Sequence, residues 1–300
     1  MNSAYYQEEF LIRNFKQLEV RIEPERKTVW VYMNPQPRAC FTPVLLSEIC
    51  KLHAVLKLNN GKLPCSGALV DIEYYVITSR HPVFSFGGDL ELFLQYIDAG
   101  DPVGLKSYAK ACIDAFYPNK SGFDCGITTV ALIHGNALGG GFECALSNHV
   151  IVAERNVEMG LPEVLFNLFP GMGAYQCLSQ RLNPAMAERM MLSGRMYSAE
   201  ELFDMGVVDI LAEEGSGEES VLSYIKSSRR HRNSYKALAR VRQRVAPVDY
   251  DELLDICDIW VEAALNLTDK DKRIMRRLVR SQYRFSNDDS RVSFKQLQAS

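Results

Sequence analysis

The chain has 300 residues, of which 47% are hydrophobic and 24% are charged, the balance of a globular protein that buries a full core. It contains no run of about 18 apolar residues that would span a bilayer. The polar start, residues 1–9, also lacks the apolar region of a signal peptide. We therefore expect a cytoplasmic protein with no membrane partner.

The net charge of −3 is unevenly divided. Residues 221–300 contain 17 lysines and arginines against 10 aspartates and glutamates, whereas residues 1–220 contain 17 against 27. The segment 229–244 contains seven lysines and arginines and no acidic residue. It is interpreted either as a solvated helix face or subunit contact, or as a docking surface for an acidic partner. Arg229, Arg230 and Arg232 are the candidates for docking. No nucleic-acid-binding motif accompanies them, so we expect no nucleic acid partner.

Neither a metal site nor a cofactor is expected. The eight cysteines form no Cys-x-x-Cys pair, and the five histidines are scattered along the chain. Metal ligands would be clustered. The cysteines are therefore interpreted as small buried hydrophobic residues.

The first part of the chain alternates strands and helices. Residues 1–14 are expected to be mobile. The alternating patterns then predict a hairpin of strands at 18–22 and 28–33, a helix that Thr42 caps with Pro43 at its first position, and a buried strand at 71–78. That strand leads into a loop at residues 84–90.

The second part repeats this order with a helix at 105–116, a strand at 128–133, a short helix through Glu143, and strands at 150–153 and 157–159. Strands that alternate with helices predict an α/β core over residues 15–212, folded as a right-handed superhelix of ββα repeats. Its glycine-rich loops follow strand ends, where such folds gather ligands.

The pattern after residue 170 is mainly helical. It predicts helices at 175–181, 184–192 and 199–205, a last strand at 207–210, and a linker at 213–218. A C-terminal helical region over 219–285 follows, with helices at 221–244, 250–267 and 270–283. A polar tail at 286–300 ends the chain.

Three segments carry the chemistry: Phe84-Ser85-Phe86-Gly87-Gly88-Asp89-Leu90, Leu138-Gly139-Gly140-Gly141-Phe142-Glu143 and Met159-Gly160-Leu161-Pro162-Glu163. Glycines let backbone N–H groups approach a ligand, and paired carboxylates can move protons to and from it. The alternatives are tight turns for the glycines and helix capping for each glutamate. Together, the segments indicate acid/base chemistry beside an oxyanion hole.

In order and spacing, these segments resemble the enoyl-CoA hydratase/isomerase (crotonase) superfamily, over roughly residues 20–210. Phe-Gly-Gly-Asp-Leu and Phe169-Pro170-Gly171-Met172-Gly173 further resemble the bacterial diffusible signal factor synthases. The resemblance implies that Glu143 and Glu163 are catalytic and that Gly88 and Gly140 form the oxyanion hole. It also favours Met172, Trp260 and Leu278 as the lining of an acyl tunnel, although such residues are often ordinary core.

The resemblance also implies a function. A signal synthase dehydrates a 3-hydroxyacyl thioester, carried on acyl carrier protein, to a cis-2-enoyl chain and releases it as a free fatty acid for quorum sensing. Resemblance to hydratases places Glu163 at Cα and Glu143 at the hydroxyl. A homo-oligomer and a sensor-kinase receiver domain as partner are implied as well. The alternatives are an enoyl-CoA hydratase or isomerase of fatty-acid degradation, acting on CoA thioesters, and a non-catalytic acyl-binding regulatory protein.

Overall fold

A computed structural model describes residues 3–286 of the chain. Its strands are β1 Leu18–Glu23, β2 Thr28–Met33, β3 Lys62–Cys65, β4 Ala68–Asp71, β5 Tyr74–Ser79, β6 Thr128–Ile133, β7 Ala137–Leu138, β8 Val150–Glu154, β9 Glu158–Gly160, β10 Met196–Ser198 and β11 Ile210–Ala212. Its helices are α1 Ser3–Arg13, α2 Pro43–Leu58, α3 Leu90–Ala99, α4 Pro102–Ser121, α5 Gly140–Leu146, α6 Ala174–Arg181, α7 Pro184–Ser193, α8 Ala199–Asp204, α9 Gly217–Arg230, α10 Arg232–Val245, α11 Tyr250–Leu265 and α12 Asp269–Ser286. The predicted polar tail lies outside the described residues, except for Ser286.

The main sheet has the strand order β1-β2-β5-β6-β8-β11. β1 and β2 form the predicted antiparallel hairpin, and the remaining neighbours are parallel. A second sheet has the order β10-β9-β7. Two successive strands followed by a helix recur along the chain, as in β6-β7-α5 and β8-β9-α6. This arrangement confirms the predicted α/β fold of ββα repeats.

Alternate residues of the main sheet point into two separate hydrophobic layers. Val31 and Ile77 face the larger layer, which α2, α4 and α5 cover. Trp30 and Val76 face the opposite layer, which α9 covers with Val221. Because both faces are buried, the central strands consist mainly of apolar residues.

The C-terminal helices pack on the core that precedes them. Gly217 opens α9, and its N–H donates to Glu154 Oε1 at 3.1 Å. Leu253 and Trp260 of α11 and Met275 of α12 belong to the larger hydrophobic layer. The residues after the predicted linker therefore share the core of residues 15–212.

Three predicted elements differ from the structure. The predicted helix at 221–244 is interrupted at His231, which has φ −117° and ψ 29°. The predicted strand at 71–78 is divided into β4 and β5, because the Glu73 N–H turns to the Lys27 carbonyl oxygen. β11 begins at Ile210, three residues after the predicted strand start at Val207.

The first residues, for which the sequence predicts mobility, contain a helix. In α1 the Glu9 carboxylate accepts hydrogen bonds from the N–H groups of Ser66 at 3.0 Å and Gly67 at 3.1 Å. These bonds connect α1 to the turn between β3 and β4.

Candidate active site

Two glycine-containing loops meet at the carboxyl ends of the central strands. The first follows β5, and the second joins β7 to α5. Gly87 has a φ of 94°, and a Cβ at this position would lie 2.7 Å from the Leu138 carbonyl oxygen. Only glycine allows this approach. The Phe41 N–H donates to the Gly87 carbonyl oxygen at 2.9 Å and holds the first loop in place.

The close approach brings two backbone N–H groups together. A Cβ on Gly140 would lie 3.2 Å from the Gly88 nitrogen. Gly140 is the first residue of α5, where a helix leaves its N–H groups without intrahelical partners. Within the described residues, neither the Gly88 nor the Gly140 N–H donates a hydrogen bond to the chain. The structure thus places side by side the two donors that the sequence predicts as an oxyanion hole.

Glu143 lies on the first turn of α5 and is 3% exposed. Its Oε1 accepts hydrogen bonds from the N–H groups of Met172 at 2.7 Å and Ala174 at 3.2 Å. Burial raises the pKa of the Glu143 carboxyl to about 7, and the two N–H donors limit the rise. The side chain is therefore able to exchange a proton near neutral pH.

Glu163 follows Pro162 in a 3-10 helix, Pro162–Phe166. Its Oε2 is buried and has no hydrogen-bond partner among the described residues. Burial, and secondly the charge of Glu143, raise the pKa of the Glu163 carboxyl well above its usual range. Gly139 makes room for this side chain, because a Cβ there would collide with Glu163 Oε1. No role was predicted for Gly139 from the sequence, although it belongs to the run of three glycines at 139–141.

The two carboxyls lie in one cavity with raised pKa values, and the charge of Glu143 contributes to the raised pKa of Glu163. Because Glu143 accepts two N–H hydrogen bonds and Glu163 Oε2 accepts none, the negative charge is favoured on Glu143 and the proton on Glu163. A pair whose environments separate its pKa values supplies an acid and a base at once.

The raised pKa values also predict a pH-dependent stability. Between about pH 4.5, where the unfolded carboxyl titrates, and about pH 7, where Glu143 titrates in the folded protein, the folded state binds more protons than the unfolded state. Its free energy of unfolding therefore falls as pH rises through this window. The shift at Glu143 corresponds to about 3 kcal/mol.

Glutamine at position 143 cannot titrate. When the pH is raised from about 5 to about 8, we expect the melting temperature of the wild-type protein to fall several degrees more than that of Glu143→Gln. Thermal unfolding at the two pH values measures this difference, and Glu188→Gln, at an exposed position, is the matched control. A melting-temperature difference that stays constant with pH contradicts the raised pKa.

Both carboxyls and both N–H donors line one cavity of about 70 Å³. Met172, Trp260 and Leu278, the predicted tunnel residues, line it as well. The other lining residues are mostly apolar and include Phe41, Phe93, Phe116 and Phe166. An apolar cavity that holds benzene measures about 150 Å³. The cavity is therefore smaller than one that holds benzene.

Aromatic rings pack directly on the loop that contains Gly88. The Trp260 and Phe93 rings lie edge to face with their centroids 5.1 Å apart, and the Phe93 and Tyr108 rings lie in the same way at 4.8 Å. A Cβ on Gly88 would lie 2.6 Å from the Phe93 ring. The rings form an apolar wall beside Gly88.

Arg38, which no sequence motif marks, connects the loop that contains Gly88 to α12. Its guanidinium, 3% exposed, pairs with Asp89 at 2.8 Å and Glu91 at 3.0 Å. It also donates to Gln282 Oε1 at 2.9 Å and lies 4.8 Å from the centre of the Tyr283 ring. Since Asp89 directly follows Gly88, Arg38 fixes the loop that carries one of the two N–H donors against α12.

Arg229, Arg230 and Arg232 are not brought together with the cavity. Arg229 donates to the Glu25 carbonyl oxygen at 3.1 Å, and Arg232 pairs with Glu73 at 2.6 Å, just before β5. The cavity follows the other end of β5, whose six residues span about 20 Å. Their position gives no support to the expectation that these arginines dock the carrier of the substrate.

The family profile described as enoyl-CoA hydratase/isomerase matches residues 71–249, which is more than half of the chain. The chain belongs to the enoyl-CoA hydratase/isomerase family. The family's members are hydratases and isomerases, which agrees with the predicted enzyme class at this level.

Curated relatives match over part of their length. The 2,3-dehydroadipyl-CoA hydratase of Escherichia coli (strain K12) is 30% identical over 172 residues, which cover 55% of this chain and 64% of that protein. The fatty acid oxidation complex subunit alpha of Shewanella loihica is 32% identical over 174 residues, which cover 57% of this chain and 22% of that protein. In both cases the match spans less than two thirds of the relative.

Solved structures match over most of the chain. Pseudomonas aeruginosa DspI is similar with a TM-score of 0.65 and 26% identity, over 78% of this chain and 86% of that one. The enoyl-CoA hydratase from Bacillus halodurans has a TM-score of 0.73 and 18% identity, over 87% of this chain and 99% of that one. At 18% identity, the similarity to the Bacillus halodurans enzyme shows only that the two chains have the same fold.

Two features are absent from residues 3–286. No helix in this part of the chain has both the length and the apolar character needed to cross a membrane. The same residues contain no group of three or more histidines, cysteines, aspartates or glutamates suited to holding a metal ion.

Proposed function

We propose that the protein is a dehydratase with thioesterase activity, like the diffusible signal factor synthases. It converts a 3-hydroxyacyl thioester to a cis-2-enoyl chain and releases a free unsaturated fatty acid for quorum sensing. The observation that carries the proposal is the buried pair of Glu143 and Glu163, whose carboxyls line one cavity with the Gly88 and Gly140 N–H groups and have raised pKa values. The two motifs shared with these synthases and the likeness to DspI support it further.

Dehydration uses both carboxyls. The thioester oxygen accepts hydrogen bonds from the Gly88 and Gly140 N–H groups, which stabilise the enolate that forms when the base removes the proton from C2. The protonated carboxyl then gives its proton to the C3 hydroxyl, which leaves as water as the C2–C3 double bond forms. The proton removed from C2 remains on the base, so the pair ends with one proton, as it began.

The division of roles follows from where that proton starts. The resemblance places Glu163 at Cα and Glu143 at the hydroxyl. With the proton resting on Glu163, this arrangement is set to add water to an enoyl chain, and elimination begins once the proton has passed to Glu143. In the opposite arrangement, Glu143 removes the C2 proton directly from the resting state. Both arrangements use the same singly protonated pair.

Hydrolysis follows at the same site. A water molecule that gives its proton to the carboxylate attacks the thioester carbonyl carbon, and the Gly88 and Gly140 N–H groups stabilise the oxyanion that results. When the C–S bond breaks, the sulfur leaves as a thiol with the proton that the carboxyl returns. The products are the free acid and the thiol of the carrier.

The proposed substrates are thioesters of acyl carrier protein or of CoA. The names of family relatives specify CoA compounds, whereas the resemblance to signal synthases implies the carrier protein. A homo-oligomer and a sensor-kinase receiver domain as partner are proposals that rest on the same resemblance.

A second candidate is an ordinary enoyl-CoA hydratase. The resting protonation favours it, because a protonated Glu163 at Cα and an ionised Glu143 at the hydroxyl are set for hydration. A non-catalytic acyl-binding protein has no need for two buried carboxyls, so the same pair argues against that alternative.

Product analysis separates these candidates. We expect purified protein to convert 3-hydroxyacyl carrier protein to a free cis-2-enoic acid, detected by mass spectrometry and chromatography against cis and trans standards. Rapid hydration of crotonyl-CoA, with no free acid from the carrier-bound substrate, would identify an ordinary hydratase. If neither substrate is converted, the non-catalytic acyl-binding protein is the remaining candidate.

Arg38 is expected to act as a positioning residue. Arg38→Met removes the link between the Asp89 loop and α12, so kcat is expected to fall about 10-fold to 100-fold with a smaller change in KM. Arg38→Lys, which keeps the charge but not the forked geometry, is expected to recover part of kcat. Steady-state kinetics on the substrate that turns over gives both values.

Tyr283→Phe controls for lost packing at Arg38. It removes the hydrogen bond that the Tyr283 hydroxyl donates to Glu91 at 2.7 Å but keeps the ring against the guanidinium. We expect a smaller loss of kcat than in Arg38→Met. A folded Arg38→Met protein with wild-type kcat would show that Arg38 does not position the loop.

A further inference from the structure

A second cavity lies at the opposite end of the sheet from the carboxyl pair. It measures about 430 Å³, and its polar lining includes Asn148 and His149 at the amino end of β8. The end of α4 forms one wall, and α10 closes the outside with Ala239, Arg242 and Gln243. No residue of the catalytic cavity lines it.

Three cations line this second cavity: Lys120, Arg181 and Arg242. Arg181 pairs with Asp209 at 3.0 Å, and Asp209 also accepts a hydrogen bond from the Ile151 N–H at 2.8 Å. Among the described residues, Lys120 and Arg242 have no ion-pair partner. The cavity therefore carries more positive charge than its own carboxylates neutralise.

The charge of the cavity acts on the groups inside it. Burial, with a contribution from Arg181 and Arg242, lowers the pKa of the Lys120 ammonium. Burial chiefly, with smaller contributions from the charges of Lys120, Arg242 and Arg181, lowers the pKa of His149 to about 4. Keeping cations together out of water is unfavourable unless an anion joins them.

The helix that closes the cavity has few other contacts. No residue of α10 is buried. Its contacts with the core include the Gln243 side chain, which donates to the Ser121 carbonyl oxygen at 3.0 Å, and Arg232, which pairs with Glu73. The Ala246 carbonyl oxygen, which follows α10, accepts from Gln180 at 3.0 Å. An anion between Lys120 and Arg242 would connect α10 to α4 directly.

We propose that this cavity binds a phosphorylated small molecule. Lys120 of α4 and Arg242 of α10 hold the phosphoryl group, since ammonium and guanidinium groups form charge-assisted hydrogen bonds with its oxygens. Arg181, whose terminal nitrogens already donate to Asp209 and to backbone carbonyl oxygens, adds positive charge beside them. Tyr117, Pro247 and Val248 form an apolar wall for the organic part. The bound anion fixes α10 on the core.

The test uses the full chain with inorganic pyrophosphate and with AMP, at constant ionic strength. We expect each ligand to raise the melting temperature of the wild-type protein saturably. We also expect bound ligand to slow amide hydrogen exchange in α10. Lys120→Met and Arg242→Met are expected to weaken the apparent affinity about tenfold or more. Stabilisation by AMP but not by pyrophosphate still supports the site and assigns more of the affinity to the apolar wall.

Arg244→Met is the matched control, because Arg244 is exposed on the same helix but does not line the cavity. It is expected to bind both ligands as the wild-type protein does. An equal loss in all three variants would indicate general attraction to a basic helix and overturn the proposal. The proposal would also be overturned if millimolar ligand did not raise the melting temperature saturably. A melting temperature that rises with protein concentration but not with ligand would overturn it as well, because a second copy of the chain would then cover the cavity.

Discussion

Glu143→Gln and Glu163→Gln are each expected to reduce turnover by about 10²-fold or more while leaving the protein folded. Glutamine keeps the shape of the side chain, and at position 143 its oxygen still accepts from the Met172 and Ala174 N–H groups. What is lost is the exchangeable proton. Steady-state rates with a 3-hydroxyacyl thioester measure the loss, and circular dichroism verifies the fold.

Acyl binding provides the control for these two variants. The apolar lining around Trp260 and Leu278 is unchanged, so the affinity for a non-reactive acyl thioester is expected to stay within a few-fold of the wild-type value. Near-normal turnover in both variants would show that the carboxyl pair does not carry the chemistry. The glycines would then be explained as turns.

Replacing one oxyanion donor is expected to have a comparable effect. Gly140→Pro removes the N–H at the first position of α5, where the fixed φ of proline suits a helix. The loss of one such donor costs about 3 kcal/mol, so kcat is expected to fall about 10²-fold to 10³-fold. Rates measured under saturating thioester give this value.

Gly140→Ala is the matched variant for this experiment. It places a Cβ at the same position, 3.2 Å from the Gly88 nitrogen, but keeps the N–H. The difference between the proline and alanine variants therefore reports the loss of the N–H together with the two further ring carbons of proline. Equal kcat values in the two variants would mean that the Gly140 N–H does not bind the developing oxyanion.

Much of the fold was predictable because local patterns and burial agree. The hairpin of β1 and β2 and the Thr42 cap, which accepts from the Leu45 N–H at 3.1 Å, follow from residues close together in sequence. The break at His231 did not follow, since the basic pattern continues across it. The helix ends near His231 because α9 packs Val221 and Ile225 against the main sheet, whereas α10 has no buried residue.

The candidate site was predictable where glycines and glutamates form motifs. Gly88, Gly140, Glu143 and Glu163 line one cavity, and their roles remain predictions. Arg38 had no sequence signal, because its partners Asp89 and Gln282 are distant along the chain. The cations Lys120 and Arg242 are likewise 122 positions apart in sequence, and only the packing of α10 against the end of α4 brings them to one cavity.

The most direct test of the roles of Glu143 and Glu163 uses a 3-hydroxyacyl thioester in D₂O. The thioester is incubated with the wild-type protein, Glu143→Gln or Glu163→Gln, and the products are analysed by mass spectrometry. We predict that the wild-type protein forms the dehydrated acid. The variant that lacks the α-proton base should neither dehydrate the substrate nor exchange deuterium at C2, whereas the other variant should exchange deuterium without losing water. Dehydration at the wild-type rate in both variants would contradict the account.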